Sequence, residues 1–382
     1  MDKIVVVSGT RADYGIFKPI IEQLQKNNWD VSFAVSGMHL SHKFGYTKQI
    51  IESDNFRICG EVQSIFLENS KGNMARSVSL EISGFTSIFE RESPDFILLL
   101  GDRGEMLAAA ISAMYLGIKT AHIHGGEVSG TVDESIRHAI SKLSTIHFAS
   151  TEKSAERLLK MGEDPWRVFH VGAPRIDSIM NSELPNLESI NEKYGWNLEK
   201  KEYVLQVFHP VVTELDEIKY QIEMLNSSIE KTKLRVLCIL PNADAGGNII
   251  RDEYRNMPDD SVVFISNLEP DEYLRILKDC LFMIGNSSSG IIEAASYNVP
   301  VVNLGSRQVG REQSENIIDS DFIQENIDTA IKTVLSEDFN REIRNSSNIY
   351  GDGTASDSIV KVLNNISKDK DIKKWIQKKI AY

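Results

Sequence analysis

The chain is short of cysteine, of positive charge and of long apolar runs, and each shortage narrows what it can be. Its three cysteines, Cys59, Cys238 and Cys280, lie in or beside apolar, strand-like runs with no CxxC pair among them. They read as buried free thiols in a reducing cytosol. A formal net charge of -13 argues against nucleic acid or an anionic membrane as the main partner, because both need a positive field. A small anionic ligand is still admissible, held by local Arg or Lys or by helix N-termini. No stretch approaches the ~18 apolar residues of a membrane span. The apolar run at the start is too short for a signal peptide and lacks a small-residue cleavage site. A cytoplasmic protein is expected.

The 382 residues, 41% apolar and 25% charged, make an ordinary globular composition. At roughly 100–200 residues per domain they suggest two domains. Short β-branched runs alternate with helical patterns from the start. Ile4–Val7, Val31–Val35, Phe96–Leu100, Thr120–Ile123, Ile146–Ala149 and Val168–Val171 read as strands. Ile16, Phe17, Ile20, Ile21 and Leu24 recur at helical spacing, and Met106–Tyr115 is rich in good helix formers. Continuous apolar strands are those buried on both faces, the pattern of a parallel, doubly wound sheet. Residues 181–202 then break the pattern with little apolar periodicity. A second series follows: Tyr203–Phe208, Val236–Leu240, Val262–Ile265, Leu281–Ile284 and Val299–Leu304. The expected fold is therefore α/β, two Rossmann-like doubly wound domains facing a cleft. The first covers 1–180 and the second 203–362. The last segment, 363–382, is expected as a helix packing back on the N-terminal domain, with Ile372, Trp375, Ile376 and Ile380 on one face and its lysines solvated.

Ligands of doubly wound sheets bind at the carboxyl ends of strands, and polar motifs stand at several of those ends. The first strand runs into Ser8-Gly9-Thr10-Arg11-Ala12-Asp13-Tyr14-Gly15, where Gly9 permits a tight turn and Arg11 offers a planar, bidentate donor. An ordinary turn with a surface Arg reads equally well. The run is not GxGxxG, so a dinucleotide is not favoured. Gly101-Asp102-Arg103 follows the strongest strand, either as a buried ion pair or as a carboxylate and an anion-binding Arg at the cleft. His122-Ile123-His124-Gly125-Gly126-Glu127 ends another strand. His122 and His124, two apart, share a face, but no third metal ligand is evident, so no metal is expected. Asp133, Arg137 and His138 fall at helical spacing and read as a solvated face or as part of the cleft.

In the second half, His209 ends a strand as Val207-Phe208-His209-Pro210, and Pro241-Asn242-Ala243-Asp244-Ala245-Gly246-Gly247 ends another. Each alone is weak. The sharper feature is Gly285-Asn286-Ser287-Ser288-Ser289-Gly290 before an expected helix Ile291–Ser296. A small, hydroxyl-rich turn that opens a helix presents backbone N–H groups to a diphosphate. Glu293 is placed to accept from ribose hydroxyls, and Arg307 and Arg311 follow the next strand.

These motifs, in this order, resemble the hydrolysing UDP-N-acetylglucosamine 2-epimerases of sialic acid and legionaminic acid biosynthesis. The resemblance is nearly full length. It rests on RADYG, GDR, HIHGGEVSGTVDESIRHAISKL, the His209-Pro210 pair, PNADAG, GNSSSG, NLGSRQVGRE and Tyr350-Gly351-Asp352-Gly353. It implies the B-type glycosyltransferase architecture, no cofactor or metal, and a homodimer or tetramer. By position it puts Arg11, Arg103, His209, Asn242, Ser287, Ser288, Glu293 and Arg307 around UDP, with Gly15, Asn286 and Ser289 in the same motifs. Asp102 and Asp133 match acid–base carboxylates. Relatives of the mammalian and non-hydrolysing types have a catalytic Glu where this chain has His124, so His124 or Glu127 takes that role here. Ser266 and Asn267 replace the Lys and His of the mammalian feedback site, and no CMP-sialic acid inhibition is expected.

The chemistry implied is removal of the carbon 2 proton as UDP leaves carbon 1, then hydration of the 2-acetamidoglycal. N-acetylmannosamine and UDP result. Departing diphosphate gathers negative charge, which Arg11, Arg307 and Ser287–Ser289 would stabilise. His209 would protonate or bridge the leaving group. Asp102, His124, Glu127 and Asp133 are the candidates for the two proton transfers. UDP-N-acetylglucosamine is the substrate expected, with UDP-2,4-diacetamido-2,4,6-trideoxyglucose as the alternative. A UDP-sugar glycosyltransferase is the rival from another class.

Overall fold

The apolar runs do form strands, and the strands form two sheets. A computed structural model describes residues 1–42, 45–66, 71–128, 132–241, 247–254, 262–369 and 371–381. Within these, one unit comprises Met1–Ser178 with Tyr350–Tyr382, and the other Ile179–Ile349.

In the first unit, seven strands among the described residues lie parallel in the order β3-β2-β1-β4-β5-β6-β7. They are β1 (Lys3–Ser8), β2 (Asp30–Ser36), β3 (Arg57–Val62), β4 (Phe96–Leu100), β5 (Lys119–Ile123), β6 (Ile146–Ala149) and β7 (Val168–His170). The central strands are buried along their length: every residue of Phe96–Leu100 is buried. The two faces carry separate cores, one around Ile4, Phe17, Phe96 and Phe148 and one around Val5, Phe85, Leu99 and Met106. Helix Arg11–Lys26 turns Phe17, Ile20, Ile21 and Leu24 inward. Those positions are i, i+3, i+4 and i+7, one apolar stripe.

In the second unit, six strands among the described residues lie parallel in the order β10-β9-β8-β11-β12-β13. They are β8 (Tyr203–Val207), β9 (Arg235–Ile239), β10 (Val262–Ile265), β11 (Phe282–Gly285), β12 (Val301–Leu304) and β13 (Ile317–Ser320). Phe208, Ile222, Phe282, Val302 and Ile331 belong to its core. Both units are doubly wound and Rossmann-like, as the strand and helix alternation implies. No helix among the described residues is long and apolar enough to cross a membrane.

Four details depart from the sequence reading. Strands β3 and β13 were not anticipated. Both are edge strands, and their sequences RICGEV and IIDS alternate or turn polar because one side of each faces solvent. Residues 181–202 are not a bare linker, since helix Leu187–Tyr194 lies there, capped by Asn186, and buries Ile190. The return to the first unit begins at Tyr350, not at 363. Ala173 N–H donates to Tyr350 O at 2.6 Å, and the Asp177 carboxylate accepts the Ala355 and Ser356 N–H groups at 3.0 and 2.5 Å. Helix Ala355–Ser367 then adds Ile359, Val360, Leu363 and Ile366 to a first-unit core.

The C-terminal segment is the fourth departure. Its helix covers only Ile372–Ile376, and Trp375 is buried whereas Ile376 and Ile380 are exposed. Lys378 is not a solvated lysine. Its ammonium donates to Ser141 O at 2.7 Å and Ser144 O at 2.8 Å, and it pairs with Glu163 at 2.5 Å. Desolvation lowers its pKa to about 8.

Candidate active site

Each sheet reverses its strand order once, and polar motifs stand at both reversals. In the first sheet the reversal lies between β1 and β4. Ligand sites of open α/β sheets form at such switch points, outside the carboxyl ends of the strands. Beyond β1, Thr10 caps helix Arg11–Lys26 in a capping box with Asp13. The Asp13 carboxylate also accepts the Gly9 N–H at 3.0 Å. Arg11 and Gly15 are exposed on the first turns of that helix. Gly9 passes so close to the Glu105 carboxylate that a Cβ there would strike it. Glu105 is buried, and Arg103 Nε donates to it at 2.6 Å. Asp102 and Arg103 are therefore not partners of each other.

Asp102 pairs instead with Arg137, from helix Val132–Leu143. The same guanidinium donates to His124 O at 2.9 Å and to Glu127 Oε2 at 3.4 Å. Arg137 is thus a clamp on three groups of the site. It is 7% exposed, not part of a solvated face. Asp133, on the same helix, is exposed, and His138 faces Glu134 at 3.6 Å.

His124 and Glu127 complete the cluster. His124 lies just past β5 with φ +62°, a left-handed conformation uncommon outside glycine and associated with functional sites. This backbone turn separates it from His122, and the two do not share a face. His122 is buried, with Nε2 2.7 Å from Gly101 O and Nδ1 3.2 Å from the Ser141 hydroxyl. Burial pushes its pKa down to about 3, so it acts as a neutral strut under the Gly101 turn. The Glu127 carboxylate lies 2.7 Å from His124 Nδ1 and accepts from the Ser150 hydroxyl. Burial raises the Glu127 carboxyl, but His124, Arg137 and Ser150 together outweigh it and hold the group at about 2. Asp102 goes the other way. Burial lifts it above the ordinary 3.8, Arg137 pulls it back, and Asp133 and Glu127 add to the rise. Carboxyls pushed apart in this way are what acid–base chemistry requires.

In the second sheet the reversal lies between β8 and β11, where His209 and Asn286 follow. The Asn286 side chain bridges both main-chain groups of His209: Oδ1 accepts from His209 N and Nδ2 donates to His209 O, each at 2.8 Å. Its main-chain oxygen accepts from Arg307 and Gln308, each at 2.9 Å. One buried asparagine therefore ties together the ends of β8, β11 and β12. Gly285, with φ +136°, brings it there, and a Cβ on Gly285 would strike Val207 O.

The expected helix Ile291–Ser296 is instead Ser288–Ile292, capped by the Ser287 hydroxyl, followed by a 3-10 turn Ala294–Tyr297. So short a helix has a small dipole, which leaves hydroxyls and N–H groups as what the turn offers an anion. The Ser289 hydroxyl bonds to Tyr273 and lies 3.2 Å from that of Ser287. Glu293 is buried at the end of this helix, and Arg307 is exposed. Asn242 lies outside the described residues. Arg137, Ser150 and Gln308 were missed as site residues. The helical spacing of Asp133, Arg137 and His138 fits a solvated face as well as the cleft, and Gln308 stands next to Arg307. Ser150 carried no signal of its own.

Comparison with known proteins shows the family and the fold. The family model for UDP-N-acetylglucosamine 2-epimerase matches residues 22–364. The chain is 46% identical over 368 residues to the UDP-N,N'-diacetylbacillosamine 2-epimerase (hydrolyzing) of Legionella pneumophila, covering 95% of this chain and 96% of that protein. It is 33% identical over 338 residues to the UDP-N-acetylglucosamine 2-epimerase of Neisseria meningitidis serogroup B, covering 88% of each. A solved structure of UDP-GlcNAc 2-epimerase from Neisseria meningitidis bound to UDP-GlcNAc shares the fold, with a TM-score of 0.77 at 21% identity over 95% of this chain and 100% of that one. The chain belongs to the hydrolysing UDP-N-acetylglucosamine 2-epimerase family.

Proposed function

We propose that this enzyme acts on UDP-2,4-diacetamido-2,4,6-trideoxyglucose, which is UDP-N,N'-diacetylbacillosamine, and releases UDP and the 2-epimeric free sugar. The observation that carries the choice of sugar is the 46% identity, over 95% of the chain, to the Legionella pneumophila enzyme named for that substrate. UDP-N-acetylglucosamine is the second reading, favoured by the name of the Neisseria relative at 33%.

The reaction eliminates UDP across carbons 1 and 2 and hydrates the resulting glycal. Arg11, Arg103, His209, Asn242, Ser287, Ser288, Ser289, Glu293 and Arg307 would hold UDP, with Gly15 and Asn286 shaping their turns. Preorganised donors of this kind stabilise the charge that grows on the departing diphosphate. Asp102, His124, Glu127 and Asp133 would serve the proton transfers at carbon 2. The pull of Arg137 and the push of burial on Asp102 support a group able to change protonation during the cycle.

Incubation of the pure protein with each UDP-sugar in deuterated water, followed by NMR, tests the reading. Free UDP and a released manno sugar deuterated at carbon 2 are expected, faster from the diacetamido substrate. Faster turnover of UDP-N-acetylglucosamine reverses the choice of sugar. A UDP-sugar left intact until an acceptor is added points to a glycosyltransferase and overturns the reading.

A further inference from the structure

The geometry points to a division of labour in the first unit: His124 Nε2 takes the proton from carbon 2, and Glu127 is a positioning residue that fixes the imidazole for that task. This rests on the epimerase reading and sharpens which group moves the proton.

Glu127 has no oxygen to spare. Oε1 faces His124 Nδ1 at 2.7 Å and accepts from the Ser150 hydroxyl, and Oε2 accepts from Arg137 at 3.4 Å. An ionised carboxylate only accepts hydrogen bonds, so His124 Nδ1 is the donor. In the neutral imidazole the lone pair is then on Nε2. That nitrogen is buried and has no hydrogen-bond partner among the described residues. Buried polar atoms are nearly always paired in folded proteins, and a catalytic nitrogen that waits for substrate is one reason for an exception. The ring still reaches the surface, the side chain being 16% exposed.

The imidazole is aimed from three sides. The His124 N–H donates to Phe148 O at 3.0 Å, its carbonyl accepts from Arg137 at 2.9 Å, and Nδ1 is held by Glu127. The charged groups around it are Glu127, Arg137, Asp102 and Asp133, while His122 is neutral.

In the elimination, Nε2 accepts the carbon 2 proton. The C–H electron pair becomes the carbon 1–carbon 2 double bond, and UDP leaves with the electron pair of the carbon 1–oxygen bond. The imidazolium formed faces the Glu127 carboxylate. As water adds its hydroxyl at carbon 1, its other proton passes by way of the Asp102 carboxylate to carbon 2 on the opposite face. Solvent removes the proton from His124, so the cycle consumes one water and leaves Asp102 ionised as it began.

Two variants and one spectrum test this. His124→Gln keeps a donor to Glu127 but has no nitrogen basic enough to accept a proton. Turnover and deuterium incorporation are expected to fall by about 10²–10⁴-fold, the range of general-base catalysis, with UDP binding by calorimetry unchanged. Glu127→Gln is expected to lower kcat by about 10–100-fold at constant KM. Nitrogen-15 NMR of the histidine ring should find Nδ1 protonated and Nε2 bare in the wild type. His124→Gln with more than about a tenth of wild-type turnover overturns the proposal. So does a Glu127→Gln variant as inactive as His124→Gln, or a ring with Nε2 protonated and Nδ1 bare. A wild type inert toward every UDP-sugar sinks the functional reading instead, and the ring tautomer still reports on the dyad.

Discussion

Arg137→Met should be costly at alkaline pH and less costly in acid. Its guanidinium bonds to Asp102, to Glu127 Oε2 and to the His124 carbonyl, and methionine replaces its volume without its charge. Removing one partner of a fully buried pair costs ~3–5 kcal/mol, because the other charge stays behind. Arg137 is 8% exposed at the side chain, Asp102 23% and Glu127 24%. Water reaches the carboxylates, which lowers the expected cost at pH 8 to about 2–3 kcal/mol.

The pH dependence follows from both carboxyls. The folded-state pKa of Asp102 is already raised from 3.8. Its contribution is fully present below 3.8 and is lost as pH rises through the folded value. Without Arg137 that value climbs further and the loss deepens. Glu127 is depressed from 4.5 to about 2, so its contribution is present above 4.5 and is lost as pH falls toward 2. Losing Arg137 shrinks that contribution. Both effects widen the gap between wild type and variant at high pH and close it in acid. Urea unfolding at pH 8 and pH 4 measures the gap, which should be narrower at the lower pH, with the Glu127 part lost only as pH falls further toward 2. A gap equal at both pH values, or wider in acid, refutes the clamp. Turnover at pH 8 should drop at least about a hundredfold, since Asp102 and His124 lose a common anchor.

Glu81 is 3% exposed and accepts from the Ser64 hydroxyl at 2.6 Å, and burial pushes its pKa up to about 7 from 4.5. Its stabilisation, full below 4.5, is lost as pH rises through 7, so Glu81→Gln should gain up to ~3 kcal/mol at pH 8 relative to pH 4, read by denaturant unfolding. Asn286→Ala removes two bonds that hold His209 and should weaken UDP binding by about 10–100-fold in calorimetry, with the far-UV circular dichroism unchanged.

How far these sites could be read before the fold was known depended on where each residue gets its role. Asp102, His124, His209 and Asn286 follow the ends of continuous apolar strands, and a parallel sheet puts ligands at such ends. Their importance is local and therefore legible. Arg137 is different. Its spacing from Asp133 and His138 fits an exposed helical face, and only the position of Asp102, 35 residues earlier, makes it a buried clamp. His122 and His124 misled for a similar reason. Period-two alternation holds only while the strand lasts, and the chain turns to φ +62° at His124. The crossing at Tyr350 was also illegible. The apolar stripe of helix Ala355–Ser367 would satisfy either core, and the choice is made by the Asp177 carboxylate at its N-terminus and by helix Arg11–Lys26 beside it. Lys378 shows the limit most sharply. A lysine in a lysine-rich tail reads as solvated, yet this one caps carbonyls at the end of the helix that carries Asp133 and Arg137. What anchors that helix at its far end is thus a residue some 240 positions away from it in the chain. No local pattern can announce such a partner, because the pairing exists only once both segments have packed on the same sheet.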